Sequence, residues 1–127
     1  MRDLLLMNDY DADPLWHAPS GVMANLDDLP LSDETRTRAR AWARRWDELA
    51  SQDLEANYGD TPELAHKTVP PEVWAEHEQE GNRVWSLLRP ELGEGWRVGM
   101  VSFPDGRRHV QWEPDGPLEL CLPTGDD

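Results

Sequence analysis

The segment from Leu29 to Ala56 predicts one long amphipathic helix, and this helix constrains the fold more than any other part of the sequence. Its apolar residues recur three or four positions apart and so form a single stripe. The stripe comprises Ala39, Trp42, Ala43, Trp46, Leu49, Ala50 and Leu54. Ser32 is suited to accept a backbone N–H as the N-cap of this helix. Because the stripe has to be buried, the rest of the chain must supply an apolar surface against it.

Size and composition predict a single domain over residues 1–127, with a polar tail from about residue 123. A chain of this length buries about two thirds of the surface that its unfolded form exposes. Hydrophobic residues make up 38% of the sequence and seven residues are Trp, which argues against disorder in spite of a formal net charge of -14. A packed core is therefore expected.

A second helix is predicted to begin near Thr68, since Pro70 and Pro71 fit the first turn, where backbone N–H groups lack helical partners. Pro90 predicts a kink or an end, and Gly93 closes the segment. The apolar stripe of this helix comprises Val73, Trp74, His77, Gly81, Val84, Trp85 and Leu88.

Two residues of the second stripe are unusual for a packed helix face. Gly81 costs about 1 kcal/mol of helix propensity relative to alanine, so its presence predicts close approach by Trp42 or Trp46. His77 lies one turn earlier on the same face. It is either a hydrogen-bonded core residue or a general base or pH-sensitive switch.

The segments Gly95–Phe103 and Arg107–Trp112 predict a β-hairpin, because Pro104-Asp105-Gly106 fits a three-residue loop. That loop places Met100 opposite Val110 and fixes the register. The residues that then share one buried face are Trp96, Val98, Met100, Val110 and Trp112.

The predicted fold is a two-layer α+β domain, with both helices on one face of a mainly antiparallel sheet of about four strands in the order βααβββ. Asp3 to Asn8 is an apolar run typical of a buried first strand, and Leu118 to Leu122 predicts the last strand. The first strand is expected to pair in parallel with the strand at Trp96. The segment from Asp9 to Gly21 is predicted to be a loop, because it is rich in Pro, Gly and Asp.

That loop carries three alternating carboxylates, a spacing that hard cations use. These are Asp9, Asp11 and Asp13. Pro14, however, stands where an EF-hand calcium loop needs glycine, and Ser20 stands where it needs glutamate. Two interpretations remain, a solvated acidic turn or a metal site that also uses His17.

Five arginines crowd the first half of the long helix and flank its apolar stripe on both sides: Arg36, Arg38, Arg40, Arg44 and Arg45. They form either an anion-binding patch or a set of side chains that lie beside the core and pair with acidic neighbours. The acidity of the whole chain repels anions and favours the pairing.

Charge and composition exclude several classes of function. With a pI near 4.5, binding to a nucleic acid or an anionic membrane would have to overcome long-range repulsion. Cys121 is the only cysteine, which excludes an internal disulfide and a cysteine zinc site. The apolar run Leu4–Met7 is too short for a signal-peptide core and no segment reaches membrane-spanning length, so a cytoplasmic location is expected.

The sequence also lacks the common motifs of catalytic and nucleotide-binding sites. The sequence contains no G-x-G-x-x-G, no Walker loop, no H-E-x-x-H and no G-x-S-x-G. Its four histidines fall on separate predicted elements. We therefore assign no catalytic residue and expect no cofactor, although the absence of a motif does not exclude an enzyme.

The first fifty residues contain a series of short motifs: Leu4-Leu5-Leu6-Met7, then Asp9-Tyr10, then Pro14-Leu15-Trp16, followed by Leu29-Pro30-Leu31-Ser32 and a helix containing Trp. This pattern resembles small uncharacterised proteins of high-GC bacteria. The resemblance implies no activity.

Two hypotheses for function follow. The stretch from Asp47 to Glu80 is strongly acidic and is opposed by Lys67 alone, which favours a noncatalytic inhibitor of a basic protein partner, in the manner of an immunity or antitoxin protein. The predicted partner-binding residues are Trp16, Asp47, Glu48, Asp53, Glu55, Asp60, Glu63, Glu76 and Glu80. For Trp16 two interpretations remain, a lid over the core or an exposed anchor for the partner. The alternative is a small enzyme or ligand-binding or metal-binding domain that uses the Asp9 to His17 loop and His77.

Overall fold

A computed structural model describes residues 2–9, 11–18, 20–58 and 69–120, with the backbone alone for residues 55–58. The elements in chain order are β1 (Arg2–Leu6), β2 (Leu15–Ala18), a short 3-10 helix (Leu26–Asp28), α1 (Asp33–Tyr58), α2 (Pro71–Leu92), β3 (Trp96–Ser102), β4 (His109–Gln111) and β5 (Leu118–Leu120). The predicted α+β class is confirmed. The predicted tail lies outside the described residues.

The five strands form one mixed sheet in the order β2-β1-β3-β4-β5. β1 pairs in parallel with β3, so that Leu4 lies beside Val98 and Leu6 beside Met100, as the crossover predicted. The other neighbouring pairs are antiparallel. Because β1 has a neighbour on each side, its apolar run occupies an interior position, and Leu4 and Leu6 are fully buried.

The prediction of about four strands was wrong, because Leu15–Ala18 forms β2 inside the segment that was predicted to be a loop. The chain order is therefore ββααβββ. β2 is only four residues long and is flanked by Pro14, so it lacks the longer alternation that identifies a strand. Its existence depends on antiparallel pairing with β1, which places Leu15 opposite Leu6.

Helix α1 begins as predicted, since the Ser32 hydroxyl accepts the backbone N–H of Thr35 at 3.2 Å. Most of the predicted stripe is buried, but Leu54 is 51% exposed, which corrects its place in the stripe. The inward position of that turn is taken by Asp53. Its carboxylate accepts hydrogen bonds from the Val69 N–H and the Trp74 indole, and Leu54 is rotated away from that face.

Helix α2 continues through Pro90 to Leu92 and is closed by Gly93, which has a φ of +83° and donates its N–H to the Arg89 carbonyl. The predicted close approach at Gly81 is confirmed. A Cβ atom built at this glycine would lie 2.6 Å from Cζ2 of Trp42, so the indole ring packs directly on the backbone of α2.

The predicted register of the β3–β4 hairpin was wrong by one residue. Met100 lies opposite Gln111 and Val101 opposite Val110, so Val110 and Trp112 are on the other face of the sheet from Met100. The reason is a longer connection, residues 103–108, in which the Asp105 carboxylate accepts the Arg107 N–H at 3.0 Å and contacts the His109 ring. This network replaces the predicted three-residue loop.

The core lies between the helices and one face of the sheet, called the inner face because it carries Leu4, Leu6 and Val98. Trp42 of α1 and Trp85 of α2 belong to the same buried cluster, and the Trp85 indole donates to the Val98 carbonyl at 2.8 Å. Within the described part of the chain, no helix is long and apolar enough to span a membrane.

Candidate functional site

A half-open cavity of about 470 Å³ lies where the carboxyl ends of β1 and β3 meet the two helices. We call it the aromatic groove. Its aromatic and apolar walls are Trp42, Trp46, Trp74, His77, Met100 and Phe103. The parallel pairing of β1 with β3 creates this position, because it brings the ends of two distant strands to the same edge of the sheet.

His77 forms the wall of the groove on the α2 side and is 7% exposed. Its ring stacks on Trp42 with centroids 5.2 Å apart, and its Nε2 lies 3.2 Å from the amide nitrogen of Asn8. Burial, with a smaller effect from the charge of Arg45, lowers the pKa of His77 to about 4. The imidazole is therefore neutral near pH 7, and Nε2 accepts the Asn8 hydrogen bond.

Trp42 is fixed on its other side by two contacts with α2. Its indole N–H donates to the backbone carbonyl of His77 at 2.9 Å, and its ring packs against Gly81. A rigid ring against a rigid helix backbone sets the distance between α1 and α2. The groove therefore has a preformed floor.

The sheet extends the groove beyond the helices. Cross-strand pairing places Leu118 on the same face as Gln111 and Met100, and Leu120 on the same face as Ser102. Leu118 is 48% and Leu120 is 42% exposed, and Phe103 at the edge is 54% exposed. The inner face is thus covered by helices over β1 and β3 and open to solvent over β5.

The predicted acidic surface is divided between structural and exposed positions. Asp53 joins α1 to the start of α2, and Glu80 accepts two hydrogen bonds from Arg38, at 2.7 and 2.9 Å. Glu48 pairs with Arg45 on the surface, while Glu76 is exposed. Asp47 is half-buried; Asp60, Glu63 and the side chain of Glu55 lie outside the described residues.

The acidic loop after β1 is held by protein groups. Asp13 contacts Arg40 at 3.3 Å, and the backbone N–H of Asp11 donates to the carboxylate of Asp47 at 3.2 Å. His17 lies on β2 beside Leu4. Among the described residues, no three His, Cys, Asp or Glu side chains are close enough together to hold a metal ion. Asp9 therefore belongs to no such group in the described part of the chain.

The structure separates the residues that the alternative hypothesis combined. Asp11 and Asp13 line a cavity with Arg40 and Asp47, whereas His77 lines the aromatic groove. Trp16 is half-buried on β2, on the face opposite the helices, and its indole donates to the Met7 carbonyl at 3.0 Å.

Four of the five arginines of α1 pair with neighbours, as their position beside the stripe predicted; these are Arg36, Arg38, Arg40 and Arg45. Arg38 binds Glu80, and Arg40 binds Asp13 and Asp27. Arg36 donates to the backbone carbonyls of Leu26 and Leu29 and to Asp33. These contacts attach the segment before α1 to the helix.

Sequence reasoning missed the polar residues of the groove, which are Asn8, Glu78, Asn82, Ser102 and Gln111. Asn8 follows a predicted strand, and its parallel partner was also predicted. The expectation that these two strand ends meet was therefore the one signal available for Asn8. Gln111 could not be predicted in this way, because the predicted hairpin register placed it on the face of the sheet opposite the helices.

Comparison with known proteins gives one finding for this architecture. A family model described as "Serratia CdiI immunity protein-like" matches residues 2–103, which include β1 to β3 and both helices. A comparison with curated proteins finds no match.

Proposed function

Because this chain belongs to the Serratia CdiI immunity protein-like family, we propose that it binds and neutralises a toxin whose contact surface is basic. The family match carries the immunity role. The charge of the chain supports the basic character of the partner, since 26 acidic residues are opposed by 12 basic ones. Binding occludes the toxin, and the chain needs no catalytic step to act.

The contact surface in this proposal includes the exposed acidic residues on the two helices. Glu48 and Glu76 are exposed and Asp47 is half-buried, so all three are available to cationic side chains of a partner. Asp53 and Glu80 support the fold around them through Trp74 and Arg38. The long-range attraction of a net charge of -14 adds to these contacts by accelerating encounter.

The first test is capture of the partner with the tagged full-length chain from cells of its native organism, followed by co-production of the captured protein with and without this chain. We expect a stoichiometric basic protein that arrests growth alone and is harmless with the chain present. The association rate constant should fall about tenfold or more as salt is raised from low to physiological concentration. A partner that is not basic, or an association rate that ignores salt, contradicts the proposal.

A charge variant tests the contact surface. Asp47→Asn, Glu48→Gln and Glu76→Gln combined should lower the association rate constant with the captured toxin by about threefold to tenfold. The matched control removes three exposed charges elsewhere on the protein, Asp28→Asn, Glu94→Gln and Asp115→Asn. Equal effects of the two variants would mean that only the net charge affects association. Asp47, Glu48 and Glu76 would then not belong to the contact surface.

A further inference from the structure

The side-chain N–H donors of three residues that line the aromatic groove are used within the protein. The Trp42 indole donates to the His77 carbonyl, and the Trp74 indole donates to Asp53 at 2.9 Å. The side-chain amide of Gln111 donates to the carbonyls of Pro114 and Gly116 at 2.8 and 3.1 Å. The N–H groups of these side chains are therefore occupied by internal hydrogen bonds, and only their ring faces and acceptor atoms are available to a ligand.

Acceptors remain. Both hydrogen bonds of the Gln111 amide to Pro114 and Gly116 use its nitrogen, so these two contacts leave its oxygen as an acceptor. Oδ1 of Asn8, a residue that lines the groove, is buried and lacks a partner in the described part of the chain. A buried acceptor without a donor is unfavourable, and a donor from a bound partner removes that penalty.

The charge of the groove has one sign. Among the described residues that line it, Glu78 carries the only formal charge near neutral pH, since His77 is held neutral by burial. Glu78 is exposed on α2. The preferred occupant is thus cationic and rich in donors.

The aromatic walls distinguish between the two cationic side chains. The rings of Trp46 and Trp74 are half-buried, so each is partly accessible from the groove. A guanidinium group is planar, stacks on indole rings and carries five N–H donors, whereas an ammonium group is a compact charge with three donors. The geometry favours arginine over lysine.

We propose that the aromatic groove is the docking site for an arginine side chain of the partner toxin, with the guanidinium against Trp46 and Trp74 and paired with Glu78. This inference rests on the proposed function for the identity of the partner. The open inner face beside the groove, with Leu118 and Leu120, then receives apolar residues that flank the arginine.

The groove is tested first without the toxin. The probe is acetyl-Gly-Arg-Gly-amide, and its matched control contains citrulline, the neutral isostere of arginine, at the central position. In two-dimensional NMR spectra of the full chain, the arginine peptide should shift the indole N–H signals of Trp46 and Trp74 and the side-chain amide of Gln111. The citrulline peptide should bind about threefold to tenfold more weakly. Equal affinities, or shifts elsewhere only, overturn the proposal.

A pair of variants then tests whether the charge of Glu78 contributes to binding. Glu78→Gln should weaken arginine-peptide binding and toxin binding by about threefold to tenfold, whereas Glu94→Gln, an exposed carboxylate outside the groove, should change either by less than about twofold. If both variants bind the captured toxin as the wild type does, the groove is not the docking site, although the immunity function stands.

Two other outcomes identify a different occupant. If the captured partner is not a toxin while the peptide binds as expected, the proposed function fails and the groove belongs to that other partner. If the chain forms a concentration-dependent dimer in sedimentation experiments and Glu78→Gln dissociates it, the groove receives a second copy of the chain. Either result overturns the toxin as its occupant.

Discussion

The spacing of the two helices is decided by one ring and one missing side chain. Trp42 lies against the backbone of Gly81, donates to the carbonyl of His77 and stacks on the His77 ring. These contacts also form the floor of the aromatic groove. Packing and the candidate site therefore depend on the same residues.

Gly81→Ala should destabilise the protein by about 1–3 kcal/mol, although alanine is the better helix former by about 1 kcal/mol. The added Cβ would lie 2.6 Å from Cζ2 of Trp42, so that the ring or the helix has to move. Urea unfolding followed by tryptophan fluorescence measures the change. Gln79→Ala, exposed on the same helix, is the control and should stay within about 0.5 kcal/mol of wild type. An unchanged midpoint for Gly81→Ala would mean that Trp42 moves freely.

His77 predicts a specific pH dependence of stability. Its pKa is lowered to about 4 in the fold, mainly by burial, whereas an unfolded histidine titrates near 6.5. Between these values the unfolded state binds more protons, so the contribution of His77 to stability declines as pH falls through this window and is constant below it. From pH 7 to pH 5 the wild type should lose about 1–2 kcal/mol more than His77→Gln. Urea titrations of both proteins at the two pH values test this, and parallel losses would contradict it.

At the scale of elements, the sequence predicted what local pattern and chain connection determine. Both helices, the N-cap at Ser32, the closing Gly93 and the parallel pairing of β1 with β3 were predicted correctly. Strand β2 and the hairpin register were not. Each depends on contacts between segments, the pairing of Leu15 with Leu6 and the network around Asp105, which no period of hydrophobicity reveals.

The candidate site follows the same division. Trp42, Trp46, Trp74 and His77 were predicted to face a common interior, because they lie on helical stripes. The role of Asp53 was assigned to partner binding, and its hydrogen bonds to Val69 and Trp74 became visible only in the fold. A carboxylate within an acidic stretch gives no sequence signal of whether its partner is internal.

Asp53→Ala tests the joint between α1 and α2. It leaves the N–H groups of Val69 and Trp74 without their acceptor, so we expect a loss of about 1–3 kcal/mol in the free energy of unfolding. Chemical denaturation gives the value, and Glu48→Ala, a surface pair on the same helix, should cost less than about 1 kcal/mol. Unchanged stability together with weaker toxin binding would return Asp53 to the contact surface.

At the scale of the whole molecule, the net charge of -14 opposes folding through long-range repulsion. The screening length falls from about 30 Å at 0.01 M salt to about 8 Å at 0.15 M, which weakens this repulsion more than it weakens close ion pairs such as Arg38 with Glu80. Sodium chloride over this range should therefore raise the melting temperature by roughly 2–5 °C. Calorimetry measures the rise.

The matched variant for the salt experiment carries Asp28→Asn, Glu94→Gln and Asp115→Asn. It is less charged and should show a smaller rise. A melting temperature that falls with salt would mean that the close ion pairs contribute more than the long-range repulsion.

The parallel pairing of β1 with β3 has a consequence for how the protein is made. Asp3 and Arg97, which form an ion pair across these two strands, are 94 positions apart. A chain emerging from the ribosome presents β1 first and cannot complete the centre of its sheet until β3 has been synthesised. The aromatic groove, built on the ends of both strands, exists only from that moment. If toxin binding uses the groove, as proposed above, an incomplete chain gives no protection through it.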